Sequence, residues 1–313
     1  MINTYIGFAK NDEIRQKGSS GGIGSSVIKY LFQEDIIQSA ISFTYDPKVL
    51  QYHPEIIYSF SDYRIVGSIY HKIDLINFIK ENIGKIKGNF ACFALPCQVH
   101  AIRSLIERTG HQCYIIGLVC SSQQSIEATY YLLKRIKIKP NEVVHLQYRG
   151  NGWPSGIQIT KNNGERKLIS NGHSIWTTIF HSRLFISKQC FNCRDTLNKK
   201  SDIALADPWL REYSETETIG KTFIISNTVK GEKILKEISE KVEYIYLEEV
   251  PKEKIINSQK STICRKEKYA MHKKIMRILI SIWQSRTYKR IVLQNNILFK
   301  IHCKIKNSIE YRL

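Results

Sequence analysis

The chain contains 313 residues, 42% hydrophobic and 24% charged, which is typical of a globular protein and argues against a disordered one. That length leaves one large domain or two smaller ones equally open. The sequence has no run of about 18 uncharged apolar residues and begins without the apolar segment of a signal peptide. It therefore excludes a membrane-spanning helix and predicts a cytoplasmic protein. Because the cytoplasm is reducing, the eight cysteines of the chain are expected to be thiols or metal ligands rather than disulfides.

The elements in the first half alternate between helices and strands. A Gly/Ser loop feeds a helix within Gly18–Glu34, and a strand follows at Ser39–Asp46. Strands are also predicted within Gly88–Pro96 and at Cys113–Cys120, with a helix between them over Gln98–Gly110. This β-α-β-α succession is typical of a parallel sheet with helices on its faces.

After Pro140 the pattern changes to short strands separated by Gly and Asn turns, which favours antiparallel pairing. From about Lys252 the chain becomes helical, basic and amphipathic. The predicted fold class is therefore α/β, with a mixed sheet and flanking helices, an antiparallel second half, and a helical basic C-terminal tail.

The positive charge is concentrated in that tail. Between Arg265 and Arg312 there are 13 Lys or Arg against Glu267 and Glu310, a difference of +11 out of a total of +19. Apolar residues recur at helical spacing between them. An amphipathic helix on an anionic membrane and helices packed on the body with a solvated basic face both remain open. Nucleic-acid binding is least favoured, because the charges alternate with long aliphatic side chains rather than with stacking aromatics.

Four cysteines fall where ligands are usually found. Cys97 and Cys120 come just after two predicted parallel strands, at the edge where open α/β sheets bind their ligands. Cys190 and Cys193 form a Cys-x-x-Cys pair on a loop, which suits a zinc or an iron–sulfur site equally well. The remaining thiols are interpreted as buried or incidental; they are Cys92, Cys113, Cys264 and Cys303.

Seven short motifs occur in an order that resembles the beta subunit family of coenzyme F420 hydrogenases and dehydrogenases. The resemblance covers about Tyr5–Lys233. The motifs are RQKGSSGG (Arg15–Gly22), GSIY (Gly67–Tyr70), ALPCQVHAIR (Ala94–Arg103), IGLVC (Ile116–Cys120), YRGNGW (Tyr148–Trp153), CFNCRD (Cys190–Asp195) and SDIALADPW (Ser201–Trp209).

This resemblance implies an iron–sulfur flavoprotein that passes electrons between FAD and a partner or small substrate. It implies that Cys97, Cys120, Cys190 and Cys193 ligate one [4Fe–4S] cluster. It also implies that Ser19, Ser20, Gly21 and Gly22 line the flavin, with Gln98 close to the flavin or its phosphates. The glycine-rich loop supports this independently, because glycines let backbone N–H groups approach phosphate at a helix N-terminus. On this basis the chain divides into an N-terminal flavin-loop region (1–88), an iron–sulfur and flavin core (89–251) and a basic helical tail (252–313).

Several positions depart from the family pattern. Gly18 replaces a serine, Ile69 a lysine, and Ala94, Ala206 and Leu210 replace glycines. These changes argue against the use of coenzyme F420 itself. The chain also starts after the N-terminal ferredoxin-like segment that many members carry, so we expect a separate ferredoxin-like or other electron donor.

The expected function is an oxidoreductase in polysaccharide or related small-molecule metabolism, acting on a small molecule or a glycan. The alternative is a zinc-stabilised, non-catalytic binding or scaffold module derived from the same family. His181 is a candidate proton donor near the flavin. A candidate substrate wall comprises Arg149, Trp153, His173 and Trp176.

Overall fold

The computed structural model describes residues 1–172 and 174–312, which form two sheets and a set of surrounding helices. In this part of the chain the strands are β1 Thr4–Ala9, β2 Ser39–Asp46, β3 Gln51–Ile57, β4 Phe90–Ala94, β5 Cys113–Leu118, β6 Val143–Gln147, β7 Gly156–Lys161, β8 Arg166–Ser170, β9 Ile203–Ala206, β10 Thr222–Ser226 and β11 Ile245–Glu249.

The larger sheet has eight strands in the order β11-β1-β10-β9-β5-β4-β2-β3. Its centre is parallel, because β2, β4, β5 and β9 pair in the same direction. The outer strands are antiparallel to their neighbours on both sides of this centre. The carboxyl ends of β4, β5 and β9 therefore meet at one edge, where loops can converge on a ligand.

The helices cover both faces of this sheet and continue into the C-terminal region. They are α1 Asp12–Lys17, α2 Ile23–Gln33, α3 Leu75–Asn82, α4 Pro96–Ile106, α5 Glu127–Arg135, α6 Ile175–His181, α7 Arg211–Ser214, α8 Val229–Glu240, α9 Lys252–Ser258, α10 Lys260–Met271, α11 Lys273–Gln284, α12 Arg286–Gln294 and α13 Asn296–Arg312. A short 3₁₀ turn at Lys188–Phe191 carries the first cysteine of the Cys-x-x-Cys pair.

Successive strand residues point to opposite faces of the sheet, and both faces are buried here. Ala91 and Ile116 pack with α2 and α8. Their neighbours Phe90 and Ile115 pack with α3 and α4. Burial on both faces explains why the central strands are continuous apolar runs rather than alternating ones.

The smaller sheet is antiparallel, in the order β6-β7-β8. Its apolar side shares one hydrophobic core with α5, α6 and the C-terminal helices, to which α11 contributes Trp283 and α13 contributes Phe299. The tail is therefore packed against the body. In the described residues, no helix is both long enough and apolar enough to span a bilayer.

The predicted fold class is confirmed, including the small antiparallel sheet and the helical tail. Local sequence patterns did not predict strands β1, β3, β10 and β11. The second half of the chain was predicted to pair in an antiparallel manner, but β9 pairs in parallel with β5. The division at residue 88 remains a prediction, and strands from both sides of it share the larger sheet.

Candidate functional site

A cavity of about 530 Å³ opens at the carboxyl edge of β4, β5 and β9. Its volume falls within the roughly 300–1,000 Å³ that is usual for small-molecule and cofactor sites. One wall is the Gly/Ser loop between α1 and α2, and aromatic side chains from several loops and α6 form much of the rest. The site is thus a deep pocket with both polar and apolar walls.

The Gly/Ser loop contributes Ser19, Ser20 and Gly22 to the cavity wall, whereas Gly21 is not among the lining residues. Gly21 instead joins the loop to the sheet edge, because its N–H donates to Thr222 Oγ1 at 2.7 Å. Gly22 has a φ of +74°, and a Cβ there would lie 2.8 Å from the backbone oxygen of Ile14. A glycine is therefore required at the point where α2 begins.

Helix α2 begins at this wall without a side-chain cap, so the N–H groups of its first turn are available to an anionic ligand. Ser19 is positioned by a second glycine turn, where the Ser68 hydroxyl donates to Ser19 Oγ at 2.9 Å. Gly67 in that turn has a φ of +69°, and a Cβ there would lie 2.0 Å from the Arg149 carbonyl oxygen.

Gln98 also lines the cavity. It lies in the first turn of α4, and its side-chain oxygen accepts a hydrogen bond from the Leu95 N–H at 2.9 Å. This interaction caps the helix and fixes the carboxamide at the cavity edge. Gln98 therefore has a structural role in addition to the ligand contact predicted for it.

Arg149 and Asp207 form a buried ion pair at the cavity wall. Arg149 Nη1 donates to Asp207 Oδ2 at 2.6 Å and Nη2 donates to Oδ1 at 3.1 Å. Nη2 also donates to the carbonyl oxygen of Ser19, and Trp153 Nε1 donates to Asp207 Oδ1 at 3.2 Å. Burial lowers the pKa of Arg149, but Asp207 and the neighbouring hydrogen bonds raise it by more. A permanent cation is thus held against the Gly/Ser loop.

Sequence reasoning placed Arg149 in a substrate wall but did not pair it with Asp207. The available signal was that both residues lie inside the family-like motifs YRGNGW and SDIALADPW. The side chains in contact are 58 residues apart in the chain, so no local spacing reveals them.

Aromatic rings form another part of the wall. Tyr70 and Trp176 line the cavity with their rings stacked, 6.0 Å apart between centroids. Trp153 is buried and packs on Trp209, which does line the cavity. The remaining predicted wall residue, His173, lies outside the described residues.

His181 lines the cavity as well. Burial, reinforced by the charges of Arg183, Lys306 and Arg265, lowers its pKa to about 4. Near neutral pH its imidazole is therefore uncharged. The prediction that His181 is a proton donor thus requires the neutral ring N–H as the donor, since the imidazolium is not populated.

The loops that carry the four candidate ligands converge beside the cavity. Cys97 is in the first turn of α4, directly after β4, and Cys120 follows β5 and lines the cavity. The loop after Cys193 is attached to the ends of both strands by Asn198. Its Nδ2 donates to the Ala94 oxygen at 2.8 Å and to the Leu118 oxygen at 3.2 Å.

Lys266 of α10 lies among these loops and is only 4% exposed. Its ammonium contacts Cys193 Sγ at 3.4 Å and donates to the backbone oxygens of Cys120 and Asp195, each at 2.9 Å. Sequence reasoning missed Lys266, because nothing distinguishes it from the other basic residues of the tail. A buried cation beside several thiols stabilises their anionic forms.

The four thiols also interact electrostatically. Burial raises the pKa of Cys120 to about 12, and negative charge on Cys190, Cys97 and Cys193 acts in the same direction, whereas Lys266 opposes it. The backbone N–H of Gln123 donates to Cys190 Sγ at 3.5 Å, a contact that favours the thiolate. Within residues 1–172 and 174–312, no three His, Cys, Asp or Glu side chains are arranged as ligands of a single metal ion. The donor chemistry nevertheless suits a soft metal or an iron–sulfur cluster.

The other four cysteines are on the larger sheet and the C-terminal helices. Cys92 and Cys113 are buried on adjacent strands of the larger sheet with their sulfurs 3.7 Å apart, while Cys264 and Cys303 are half-buried on α10 and α13. Each of them is a free thiol, as are the four candidate ligands, so their interpretation as ordinary core or incidental residues stays a prediction.

Fold and site together define an α/β protein with a cofactor-sized cavity whose wall includes Cys120, one of four cysteines on loops that converge at this sheet edge. Comparison with known families identifies its relationship. Residues 4–80 match the family model for the N-terminal part of the coenzyme F420 hydrogenase/dehydrogenase beta subunit, and residues 88–253 match the model for its C terminus. The chain belongs to the coenzyme F420 hydrogenase/dehydrogenase beta subunit family.

Individual relatives agree with this assignment. The chain is 25% identical over 249 residues to F420-dependent formate dehydrogenase 1 subunit beta of Methanococcus maripaludis, covering 77% of this chain and 60% of the relative. It thus spans 60% of the length of that protein. A chain in a structure of the F420-reducing [NiFe] hydrogenase complex from Methanosarcina barkeri has the same fold, with a TM-score of 0.66 and 15% identity over 88% of this chain and 93% of that one.

Proposed function

We propose that the protein is an iron–sulfur flavoprotein oxidoreductase, in which Cys97, Cys120, Cys190 and Cys193 hold a [4Fe–4S] cluster and the cavity holds FAD. The observation that carries this proposal is the position of Cys120. It belongs to the four-thiol set and also lines the cavity, so a metal centre bound by these thiols would be adjacent to a ligand in the pocket. Such a cluster supplies single electrons, and a flavin exchanges them for two-electron chemistry.

The chain's own residues suit these groups. The uncapped start of α2 and the Ser19 hydroxyl offer hydrogen-bond donors for phosphate, whereas the Ser20 hydroxyl already donates to the Lys221 carbonyl oxygen. The Arg149–Asp207 pair keeps that wall in place through the Ser19 carbonyl, and Tyr70 and Trp176 offer flat apolar surfaces for a ring system. Ile69 and Ala206 also line the cavity. Gly18 and Ala94 line it too, so four of the five departures from the family pattern fall within the site, and only Leu210 is not among the lining residues. This supports FAD rather than coenzyme F420 as its ligand.

The test is anaerobic purification followed by assays of iron, acid-labile sulfide and flavin. We expect about four iron and four sulfide per chain, one FAD, and, beyond the flavin bands, a broad visible absorbance of the cluster that Cys193→Ser abolishes. The matched control is Cys303→Ser, which changes a half-buried thiol on α13 and should leave both the absorbance and the metal content unchanged. Stoichiometric zinc without flavin would overturn the proposal in favour of a zinc-stabilised scaffold.

For the reaction, we propose electron supply from a ferredoxin-like donor and a small-molecule or glycan substrate of polysaccharide metabolism, in the cytoplasm. The test compares flavin reduction by reduced ferredoxin, NADH and reduced coenzyme F420 under anaerobic conditions. Reduction by ferredoxin at a rate at least tenfold above the other two is expected. Rapid reduction by coenzyme F420 would contradict the argument from the altered glycines and Ile69.

A further inference from the structure

The three C-terminal helices α11, α12 and α13 are anchored to the body by their inner faces. Trp283 of α11 packs edge-on against His302 of α13 with ring centroids 5.8 Å apart. His302 in turn contacts Tyr288 Oη at 2.9 Å and the Ser182 carbonyl oxygen at 2.9 Å. At the end of α13, Glu310 accepts from Arg183 Nε at 2.9 Å. The three helices are therefore fixed to the body, and their outward faces point away from it.

Those outward faces carry aliphatic side chains that nothing in the described chain covers. On α11, Ile275, Ile278 and Ile282 are 50%, 62% and 46% exposed, and their spacing places them on one side of the helix. On α13, Ile297, Ile301 and Ile305 are 66%, 45% and 53% exposed, and they recur every four residues. Isolated exposed apolar residues need no explanation, but here two helices that contact each other through Trp283 and His302 each expose a stripe of three.

The outward faces of α11, α12 and α13 are together called the tail surface below, and their charge is of one sign. Residues 273–312 contain ten Lys or Arg and one acidic residue, Glu310. The carboxylate of Glu310 faces inward, where it pairs with Arg183 and Lys306. The exposed basic residues lie between and beside the isoleucines; they are Lys273, Lys274, Arg277, Arg286, Arg290, Lys300, Lys304 and Arg312.

Charge and residue type together select one kind of partner. Protein–protein interfaces deplete lysine at their cores and favour Tyr, Trp, Met and Arg, whereas four of the eight exposed basic residues that lie among these isoleucines are lysines. Helices lying at a lipid boundary combine an apolar stripe with flanking Lys and Arg that reach anionic headgroups. We propose that the tail surface docks the protein on an anionic membrane, with the isoleucines at the headgroup–acyl boundary and the basic side chains on lipid phosphates. This proposal does not depend on the identity of the cofactors.

The experiment is flotation of the full-length protein with vesicles of phosphatidylcholine alone or with 30% phosphatidylglycerol. We expect binding only to the anionic vesicles, weakening at least tenfold between 50 and 300 mM NaCl. The double substitution Ile278→Glu with Ile301→Glu should reduce the partition coefficient at least tenfold. The matched control is Val242→Glu, at a valine that is 74% exposed between α8 and β11, and it should bind as the wild type does.

Circular dichroism and the unfolding midpoint establish whether both variants fold, and sedimentation measures their oligomeric state. Equal binding to both kinds of vesicle would overturn the proposal, as would wild-type binding by the double variant. A wild-type dimer that the double variant converts to monomer, without any vesicle binding, would identify the tail surface as an interface between copies instead. Loss of vesicle binding by the folded Ile278→Glu/Ile301→Glu variant, with binding retained by Val242→Glu, would support docking on an anionic membrane.

Discussion

The attachment of α13 to the body depends on Glu310, and its removal gives the sharpest stability prediction. The Glu310 carboxylate accepts from Arg183 Nε at 2.9 Å and from Lys306 Nζ at 3.1 Å, and it also accepts from the Tyr269 hydroxyl. Burial alone would raise the pKa of Glu310, but Arg183, Lys306 and Tyr269 outweigh it and lower the pKa from 4.5 to about 2. The charged form is therefore strongly favoured in the folded protein.

The magnitude follows from that shift. At about 1.4 kcal/mol per pKa unit, a change from 4.5 to about 2 corresponds to about 3 kcal/mol of stability at neutral pH. Glu310→Gln should lower the free energy of unfolding by a similar amount, because it also leaves Arg183, whose side chain is 4% exposed, without its counter-charge. Because the folded pKa is depressed, this contribution is complete above about pH 4.5 and is lost as the pH falls towards 2.

The assay is urea unfolding followed by tryptophan fluorescence, to which Trp283 on α11 contributes, at pH 7 and at intervals from pH 5 to pH 3. The difference between wild type and Glu310→Gln should be largest at pH 7 and shrink below pH 4.5. Glu267→Gln is the control, since Glu267 is exposed on α10, and it should change stability by less than about 0.5 kcal/mol. Equal effects of the two variants, or a Glu310→Gln effect that is the same at pH 7 and pH 3, would refute the reasoning.

Three further predictions concern the site. Asn198→Ala removes both hydrogen bonds to the ends of β4 and β5 and should cost about 2 kcal/mol in urea unfolding, whereas Asn163→Ala in the exposed β7–β8 turn should cost much less. Gly67→Ala introduces a Cβ that would lie 2.0 Å from the Arg149 carbonyl oxygen, at a residue whose φ is +69°. Because this turn positions Ser19 in the cavity wall, the flavin content should fall at least tenfold. Gly164→Ala, where a Cβ would have nothing within 4 Å, should retain flavin. Lys266→Met removes the cation beside Cys193. Since positive charge favours reduction, the midpoint potential of the iron-loaded protein should become more negative by tens of millivolts in an EPR-monitored titration. An unchanged potential in folded protein would contradict this prediction.

Three strands of the parallel centre, β2, β4 and β5, were predictable because they are apolar runs in a succession of strands and helices, whereas the parallel pairing of β9 with β5 was not expected. The same reasoning located Cys97 and Cys120, since the ends of parallel strands meet at one edge. The outer strands were not predictable in this way. Strand β1 pairs with segments more than 200 residues away, and no local pattern encodes such partners.

The site was only partly accessible from sequence for the same reason. The Gly/Ser loop is recognisable from its composition. The hydrogen bond that joins Gly21 to the sheet edge, however, is made with Thr222 of β10, which is distant in the sequence. Arg149 and Asp207 each appear in a recognisable motif, yet their pairing requires the fold. Lys266 lies beyond both family-matched segments, where its sequence context is that of a solvated basic helix.

The position of β1 between β10 and β11 has a consequence for biosynthesis. Residues 4–9 emerge from the ribosome well before their hydrogen-bonding partners at residues 222–225 and 245–249, which are among the last of the sheet to be made. The parallel centre can assemble during translation, whereas this segment keeps apolar side chains exposed and its backbone N–H and C=O groups unpaired until most of the sheet has been synthesised. Nascent chains that stall before residue 222 should therefore be the ones that depend most on chaperones.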